Sequence, residues 1–333
     1  MTFKELKSEL FWRFNYEGFQ RNVESHCSKG FLQFKKIIRS YIFFHLFFIT
    51  LFTAEIILFS CSLPFLFQSS LFAFFLAGIV LTGFIYLVLI LYFQIKKPEQ
   101  FLHLRNWFMH LCKQSLPNNI DSSEYHLSLA NAAYRFASQL NKEEPHHFNA
   151  PKLINSLYQY TKKFTNLCKN KDILKMKEIL LLVTINEHIQ LIKESPTNLE
   201  AHASLANAYV ALSKLYFFQK EKCLAAAEKA IQEFKIMDYY APNDPWVHAQ
   251  LASCYHDLKM YKEEIDEYEI ILNLCPNDKE IMFRLGILYF QQGLNAKGLE
   301  IYEKLKKVNF SRIDELIDFY DANIKQEYYT LST

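Results

Sequence analysis

Three histidines, His126, His202 and His248, recur in similar sequence settings, and a recurring imidazole raises the question of a metal. A metal needs ligands that converge on one point. Equivalent places in successive repeats lie a whole structural unit apart, so the three are read as packing residues and no metal site is expected. The adjacent pair His146-His147 follows Pro145 and has no carboxylate or thiol partner in its neighbourhood, a weak metal signal. Cys275, just before Pro276, reads as a structural thiol beside a turn. The seven cysteines form no C-x-x-C pair, which argues against a disulfide framework and for a reducing compartment. No G-x-S-x-G, phosphate-binding loop or H-E-x-x-H pattern is present, so no catalytic residue and no cofactor is expected, and the chain is read as a non-enzyme.

One ionisable residue stands out by position. Between Arg39 and Lys96 there is no Lys, Arg or Asp, and the single acidic residue is Glu55. Around it lie two apolar blocks, Tyr41 to about Leu63 and Leu71 to about Phe93. Each suffices to cross a bilayer core, which needs about 20 residues. The blocks are apolar on every side, whereas a core helix of a soluble protein keeps a polar stripe. A cleaved signal peptide fits poorly, because Glu5, Glu9, Glu17 and Glu24 interrupt the first stretch and the apolar block starts late. The break between the blocks holds Pro64 and Ser62, Ser69 and Ser70 but no charge, and reads as a tight turn. Lys35, Lys36 and Arg39 precede the first block, and Lys96, Lys97 and Arg105 follow the second. The positive-inside rule then places both termini in the cytoplasm, with two spans. An ionised Glu55 would cost about 2.5–3.5 kcal/mol at mid-bilayer. It is read as a neutral carboxyl hydrogen-bonded to Thr82 or Ser60, with an ion relay or an oligomer contact as the functional alternative.

The elements that carry these residues are helical. Glycine (7) and proline (9) are scarce, and no alternating apolar run appears, so the chain is expected to be all-α. A net charge of +2 gives no basic field, and nucleic acid is not expected as a partner. Phe3, Leu6, Leu10, Phe14 and Phe19 have near-helical spacing; this segment could lie on the membrane surface or pack on the cytosolic part. A new helix is expected after Lys97-Pro98, carrying Phe101, Leu104, Trp107, Phe108 and Leu111, and Asp121-Ser122-Ser123-Glu124 is an N-cap signal for the next.

Beyond that point the chain repeats. His126-Leu-Ser-Leu-Ala-Asn-Ala-Ala133 is nearly the same octapeptide as His202-Ala-Ser-Leu-Ala-Asn-Ala-Tyr209, and Leu251 and Leu285 are 34 residues apart. That period, with its signature residues, resembles the tetratricopeptide repeat family. The resemblance implies stacked helix-turn-helix units presenting a concave groove to a protein. It is strong over 199–310 and weak over 122–198, where 149–195 is irregular and expected to add helices. The residues matching the family's packing positions are Leu205, Ala206, Tyr209, Ala230 and Phe234; then Leu251, Ala252, Tyr255 and Tyr268; then Leu285, Gly286, Tyr289 and Tyr302. Tyr302 is expected to pass over Gly286. Glu264 departs from the pattern, standing where a small residue belongs, and about 12 residues are inserted from Ser213 to about Leu224. A last amphipathic helix, Ile313, Leu316, Ile317, Tyr320 and Ile324, is expected to cap the stack, followed by a loose tail, 327–333.

The resemblance also places a groove. Its expected lining is Asn207, Trp246, Ser253, His256, Asp257, Phe283, Ile287, Phe290 and Gln291, an aromatic-rich set suited to an apolar anchor on the partner. Chaperone-binding members hold a peptide carboxylate with lysines, but Ala203 and Glu280 stand at those places here. The expected organisation is therefore a cytosolic N-terminal segment (1–39), a two-helix transmembrane hairpin (40–95), a helical linker with a divergent repeat (98–198), and a repeat array with its cap (199–326). The expected function is a membrane-anchored scaffold or adaptor of bacterial type, binding a peptide or helix of a cytosolic or membrane partner, in contact with membrane lipid and open to homo-oligomerisation. The alternative is a component of a membrane transport or secretion assembly in which the hairpin oligomerises and Glu55 is functional.

Overall fold

The structure, a computed structural model, describes residues 16–66, 71–140 and 155–321. The expectations for 1–15, the turn at 67–70, His146-His147, Ile324 and the tail lie outside these residues. Among the described residues there is no strand. The chain divides into two compact units, 1–191 and 192–333.

The first unit is built on two long helices, α1 (Tyr16–Leu66) and α2 (Leu71–Gln114), packed on each other. The N-terminal half of α1 has buried residues Phe19, Val23, Cys27, Phe34, Ile38 and Tyr41, spaced so that its apolar stripe faces inward. Of the two placements considered for the N-terminal segment, residues from Phe19 onward take the packed one. Against the stripe lie Phe101, Leu104 and Phe108 of α2 and Phe136 of α3 (Ser122–Gln139). Phe34 meets Phe101 at 5.5 Å between ring centroids, and Phe108 meets Phe136 at 4.7 Å. Gly30 admits Phe136, whose Cζ would lie 2.9 Å from an added Cβ. Asp121 caps α3 as expected, its carboxylate accepting from the Ser123 N–H at 3.2 Å.

Two expectations meet a different structure here. Pro98 does not begin a helix; α2 runs through it. Proline removes one backbone donor, a cost of about 3 kcal/mol in a helix interior, and the buried row Phe101, Leu104 and Phe108 on the next turns holds the helix in register across that loss. The stretch from 149 to 195 also differs from the extra helices expected there. Its described part is one helix, α4 (Asn155–Glu194). Thr184 of α4 donates to the Ala130 carbonyl of α3 at 3.4 Å. Lys97 reaches Asp172 of α4 at 2.6 Å and lies over the Tyr41 ring at 4.9 Å, closing the packed half of the unit where the apolar half begins.

The apolar halves of α1 and α2 differ from all of this. The most apolar 18-residue stretch of each has no buried residue. Phe43, Phe74, Val80, Phe84 and Leu91 are all exposed. Inside the pair, Thr82 donates to Glu55 Oε1 at 2.8 Å, while Ser60 turns back to the Ile56 carbonyl. Of the two partners expected for Glu55, Thr82 is the one present. Glu55→Gln keeps an acceptor for Thr82 and removes ionisation. We expect membrane insertion and expression to stay at wild-type level, measured by membrane fractionation; failure to insert would show that the acid itself is required.

The second unit contains three tetratricopeptide-like hairpins. They pair α5 (Leu199–Leu215) with α6 (Lys220–Tyr240), α7 (Pro245–Asp257) with α8 (Tyr261–Leu274), and α9 (Lys279–Gln291) with α10 (Asn295–Lys307). Each first helix opens on the same device, a Pro-x-Asn/Asp turn whose last residue caps it. Asn198 accepts from Ala201 N–H at 3.0 Å, Asp244 from Trp246 N–H at 2.9 Å, and Asp278 from Glu280 N–H at 3.0 Å. From α6 to α10 each helix packs on its predecessor, so apolar faces that a lone hairpin would leave wet are closed in series. The inserted residues lengthen both helices of the first hairpin, to 17 and 21 residues against 13 and 14 in the next. A helix at 313–321 ends the described chain, and its Leu316 is fully buried on α9.

Candidate functional site

Leu205, Ala206, Tyr209, Ala230, Phe234, Leu251, Ala252, Tyr255, Tyr268, Leu285 and Tyr289 are all buried, and Tyr302 is half-buried against the last core cluster. One contact differs from expectation. A Cβ on Gly286 would meet Ile301 Cγ2 and Leu316 Cδ1, each at 3.1 Å, so Ile301 passes over the glycine and Tyr302 lies to its side.

The expected groove residues separate into two groups. Asn207, Ser253, His256, Asp257 and Gln291 are exposed, and Trp246 is 43% exposed with its ring edge-on to Phe234 at 6.1 Å. Lys214 comes within 4.0 Å of Asp257, which brings the ends of α5 and α7 together at this surface. Ile287 is half-buried on the core cluster. Phe283 and Phe290 are a correction, since each is only 1% exposed. Phe283 is covered by Phe310 at 5.4 Å and by the Arg312 guanidinium at 4.3 Å, and Phe290 by Tyr320 at 5.1 Å. The segment after α10 therefore closes this end of the stack, and these two rings are core. The open surface is the more polar for it.

Phe290 also explains Gly298. An added Cβ there would lie 2.4 Å from Phe290 Cε1, so glycine is what lets the ring cross to α10. The equivalent pair in the preceding hairpin is His256 and Glu264. His256 Nδ1 lies 3.1 Å from both Glu264 oxygens. A ring over a glycine is replaced by a hydrogen-bonded ring and carboxylate, which accounts for the departure at Glu264. That carboxylate is buried, and burial pushes its pKa up against the pull of His256.

The recurring histidines belong to a repeated hydrogen-bonded device that their own spacing does not reveal. His202 Nε2 lies 2.9 Å from the Pro196 carbonyl and its Nδ1 2.6 Å from Glu233; His248 repeats this with Pro242 at 2.9 Å and Glu267 at 2.7 Å. His126 meets Glu187 at 2.7 Å. A carbonyl only accepts, so Nε2 of His202 and of His248 carries a proton, and a second proton must lie between Nδ1 and the carboxylate. The histidines thus clip the second helix and the entering turn to the first helix, and no two share a ligand. Met282 takes the place in the last hairpin. One signal could have found the partners: the His–Glu separations are 31 and 19 residues, and they differ by the length of the insertion.

This clip sets a pH dependence. Burial alone would lower the His248 pKa, but the Pro242 carbonyl, Glu267 and Asp238 outweigh it and raise it above 6.5. Burial raises Glu267 as well. A raised folded-state pKa stabilises fully below the unfolded value and is lost as pH rises through the folded value. The second unit should therefore melt lower as pH climbs above about 6.5, the ordinary histidine value, and His248→Gln should flatten that slope in a thermal denaturation series. An unchanged slope in the variant would remove the clip as its cause.

No family model matches the chain, and no curated protein matches it. Solved structures with a similar fold include MamA AMB-1, at 16% identity over 57% of this chain and 91% of that one with a TM-score of 0.33. A thermophilic TPR protein of Thermus thermophilus is 18% identical over 60% of this chain and 90% of its own, TM-score 0.33. MamA MSR-1 is 16% identical over 59% and 95%, TM-score 0.32. The repeat architecture of this chain rests on its own caps, period and hairpin packing.

Proposed function

We propose that this chain is a membrane-anchored scaffold: residues 40–95 form a two-span anchor, and the repeats from 199 onward hold a protein partner on the face bearing Asn207, Trp246, Ser253, His256, Asp257 and Gln291. The observation that carries the anchor is the contrast within α1 and α2, whose packed halves bury a regular stripe while their apolar halves bury none. Exposed apolar surface of that extent marks a contact site, and its bilayer length and lack of charge favour lipid as the contact. The basic residues at both outer flanks favour cytoplasmic termini, with 98–198 as a helical linker holding a divergent repeat. The array supports the scaffold, because stacked hairpins with a polar, partly aromatic open face build an extended binding surface.

The partner would meet a mixed surface: one half-exposed indole in the first turn of α7 as an anchor, with Asn207, Ser253, Asp257 and Gln291 as hydrogen-bonding groups further along the first helices. The test is co-purification of the full chain in detergent with its bound protein, compared with a Trp246→Ala, Ser253→Arg, Asp257→Lys variant. Loss of the bound protein at an unchanged melting temperature is expected. Equal capture by the variant would move the binding surface elsewhere. A second reading, a transport or secretion assembly, is favoured by one observation: Glu55 Oε2 is buried and has no hydrogen-bond partner among the described residues. A second copy of the hairpin could supply one, and a Glu55→Gln variant that inserts normally yet loses all function would favour this reading.

A further inference from the structure

The insertion in the first hairpin has an unusual end. It lengthens α5 by four residues relative to α7, 17 against 13, so the hairpin tip projects about 6 Å further than its neighbour's at the helical rise per residue. At that tip stand Phe217, 73% exposed, and Phe218, 91% exposed, edge-on to each other at 5.3 Å between centroids. No other described segment covers either ring. Around them are Lys214, Lys220 and Lys222, with Glu221 as the one acidic side chain in the turn. Lys222 lies over the Tyr216 ring at 5.3 Å, and Lys214 approaches Asp257 at 4.0 Å.

From this we infer that the α5–α6 tip is a membrane-touching wedge, which inserts Phe217 and Phe218 into the interface of an anionic lipid surface while the lysines meet its headgroups. The inference rests on the membrane-anchored reading above. Three features favour lipid over a protein pocket. Two adjacent rings on a projecting turn enter a fluid interface without a matching cavity, and aromatic side chains are at home where one end is apolar and the other wet. The lysine-rich rim complements anionic headgroups, each cation strengthening attachment about fivefold. The anchor holds the unit near a bilayer, so even weak contact is populated through high effective concentration.

The experiment uses the full chain in phosphatidylcholine vesicles with and without phosphatidylserine, with the photoreactive benzoylphenylalanine in place of Phe218. A control places the same residue at Phe84, an exposed position on the apolar part of α2. Mass spectrometry should find lipid adducts at 218, more abundant with phosphatidylserine and reduced about twenty-fold or more by Lys220→Glu with Lys222→Glu. Circular dichroism melting should not change, since the substituted side chains lie on the open surface of the turn. Adducts at 84 with only protein adducts, or none, at 218 would overturn the wedge and leave the anchor standing. Absence of lipid adducts at 84 would remove the anchor and the wedge with it.

Discussion

Phe283→Ala and Phe290→Ala, made together, should unfold the last hairpin at temperatures where the rest of the array is intact. Both rings are nearly inaccessible, and truncating a buried phenylalanine costs about 3–5 kcal/mol. A whole domain has only about 5–15 kcal/mol of stability, so two such losses in one hairpin exceed what its contacts can absorb. In stacked repeats stability is close to a nearest-neighbour sum, which confines the damage. Limited proteolysis followed by mass spectrometry should therefore cut first within 279–321 and only later in the first hairpin. The rings are held from the far side by Phe310, Arg312 and Tyr320, so single variants should show a smaller version of the same pattern. If the double variant melts like the wild type, the two rings are surface groups and the closure of this end of the stack is wrong.

Glycine substitutions, one on each helix of the last hairpin, probe the same place, and they should rank in a definite order. At Gly298 an added Cβ would lie 2.4, 2.6 and 2.8 Å from three atoms of the Phe290 ring. That ring is backed by Tyr320 and has nowhere to move. At Gly286 the nearest atoms are 3.1 Å away, the Cβ-borne methyl of Ile301 and a terminal methyl of Leu316, so the overlap is much smaller than at Gly298. Gly298→Ala should therefore destabilise more than Gly286→Ala, and Gly298→Leu most of all, by about 3 kcal/mol or more as overpacking of a filled core. Thermal or urea denaturation gives the ranking. The pair should also be non-additive. Phe290→Leu shortens the ring, so combined with Gly298→Ala it should recover part of the stability lost by the glycine change alone. Equal costs at the two glycines would show that the ring is mobile.

These contacts mark the boundary of what the sequence made legible. Hydropathy located the two apolar blocks because a bilayer-length run without charge has few other uses. The 34-residue separation of Leu251 and Leu285 located the last two hairpins, since helix length and turn length are fixed by the packing of one hairpin on the next. Phe283 and Phe290 were misplaced because a ring facing the groove and a ring facing a terminal helix occupy the same helical positions; only the chain after α10 decides. The helix across Pro98 was hidden because a local rule about proline was overridden by tertiary packing of Phe101, Leu104 and Phe108. The His–Glu clips were hidden by the insertion, which lies between His202 and Glu233 and makes that separation 31 residues where His248 and Glu267 are 19 apart. In the sequence His256 stands at a groove position and Glu264 at a small-residue position, with nothing to pair them. Their relation as a substitute for Phe290 and Gly298 needed the 3.1 Å contact.

Two spans carrying a cytoplasmic repeat array is a claim about sidedness, which cysteine labelling in intact cells reads out. Cys254 is a poor probe, being buried with its thiol pushed up to about 11 by that burial. Single cysteines are better placed at Ser69, in the turn expected between the spans, and at the exposed Ser253, in a background lacking the native cysteines. An impermeant maleimide should label position 69 from outside and reach position 253 only after permeabilisation. Labelling of position 253 in intact cells, or protection of both positions, would contradict the claim.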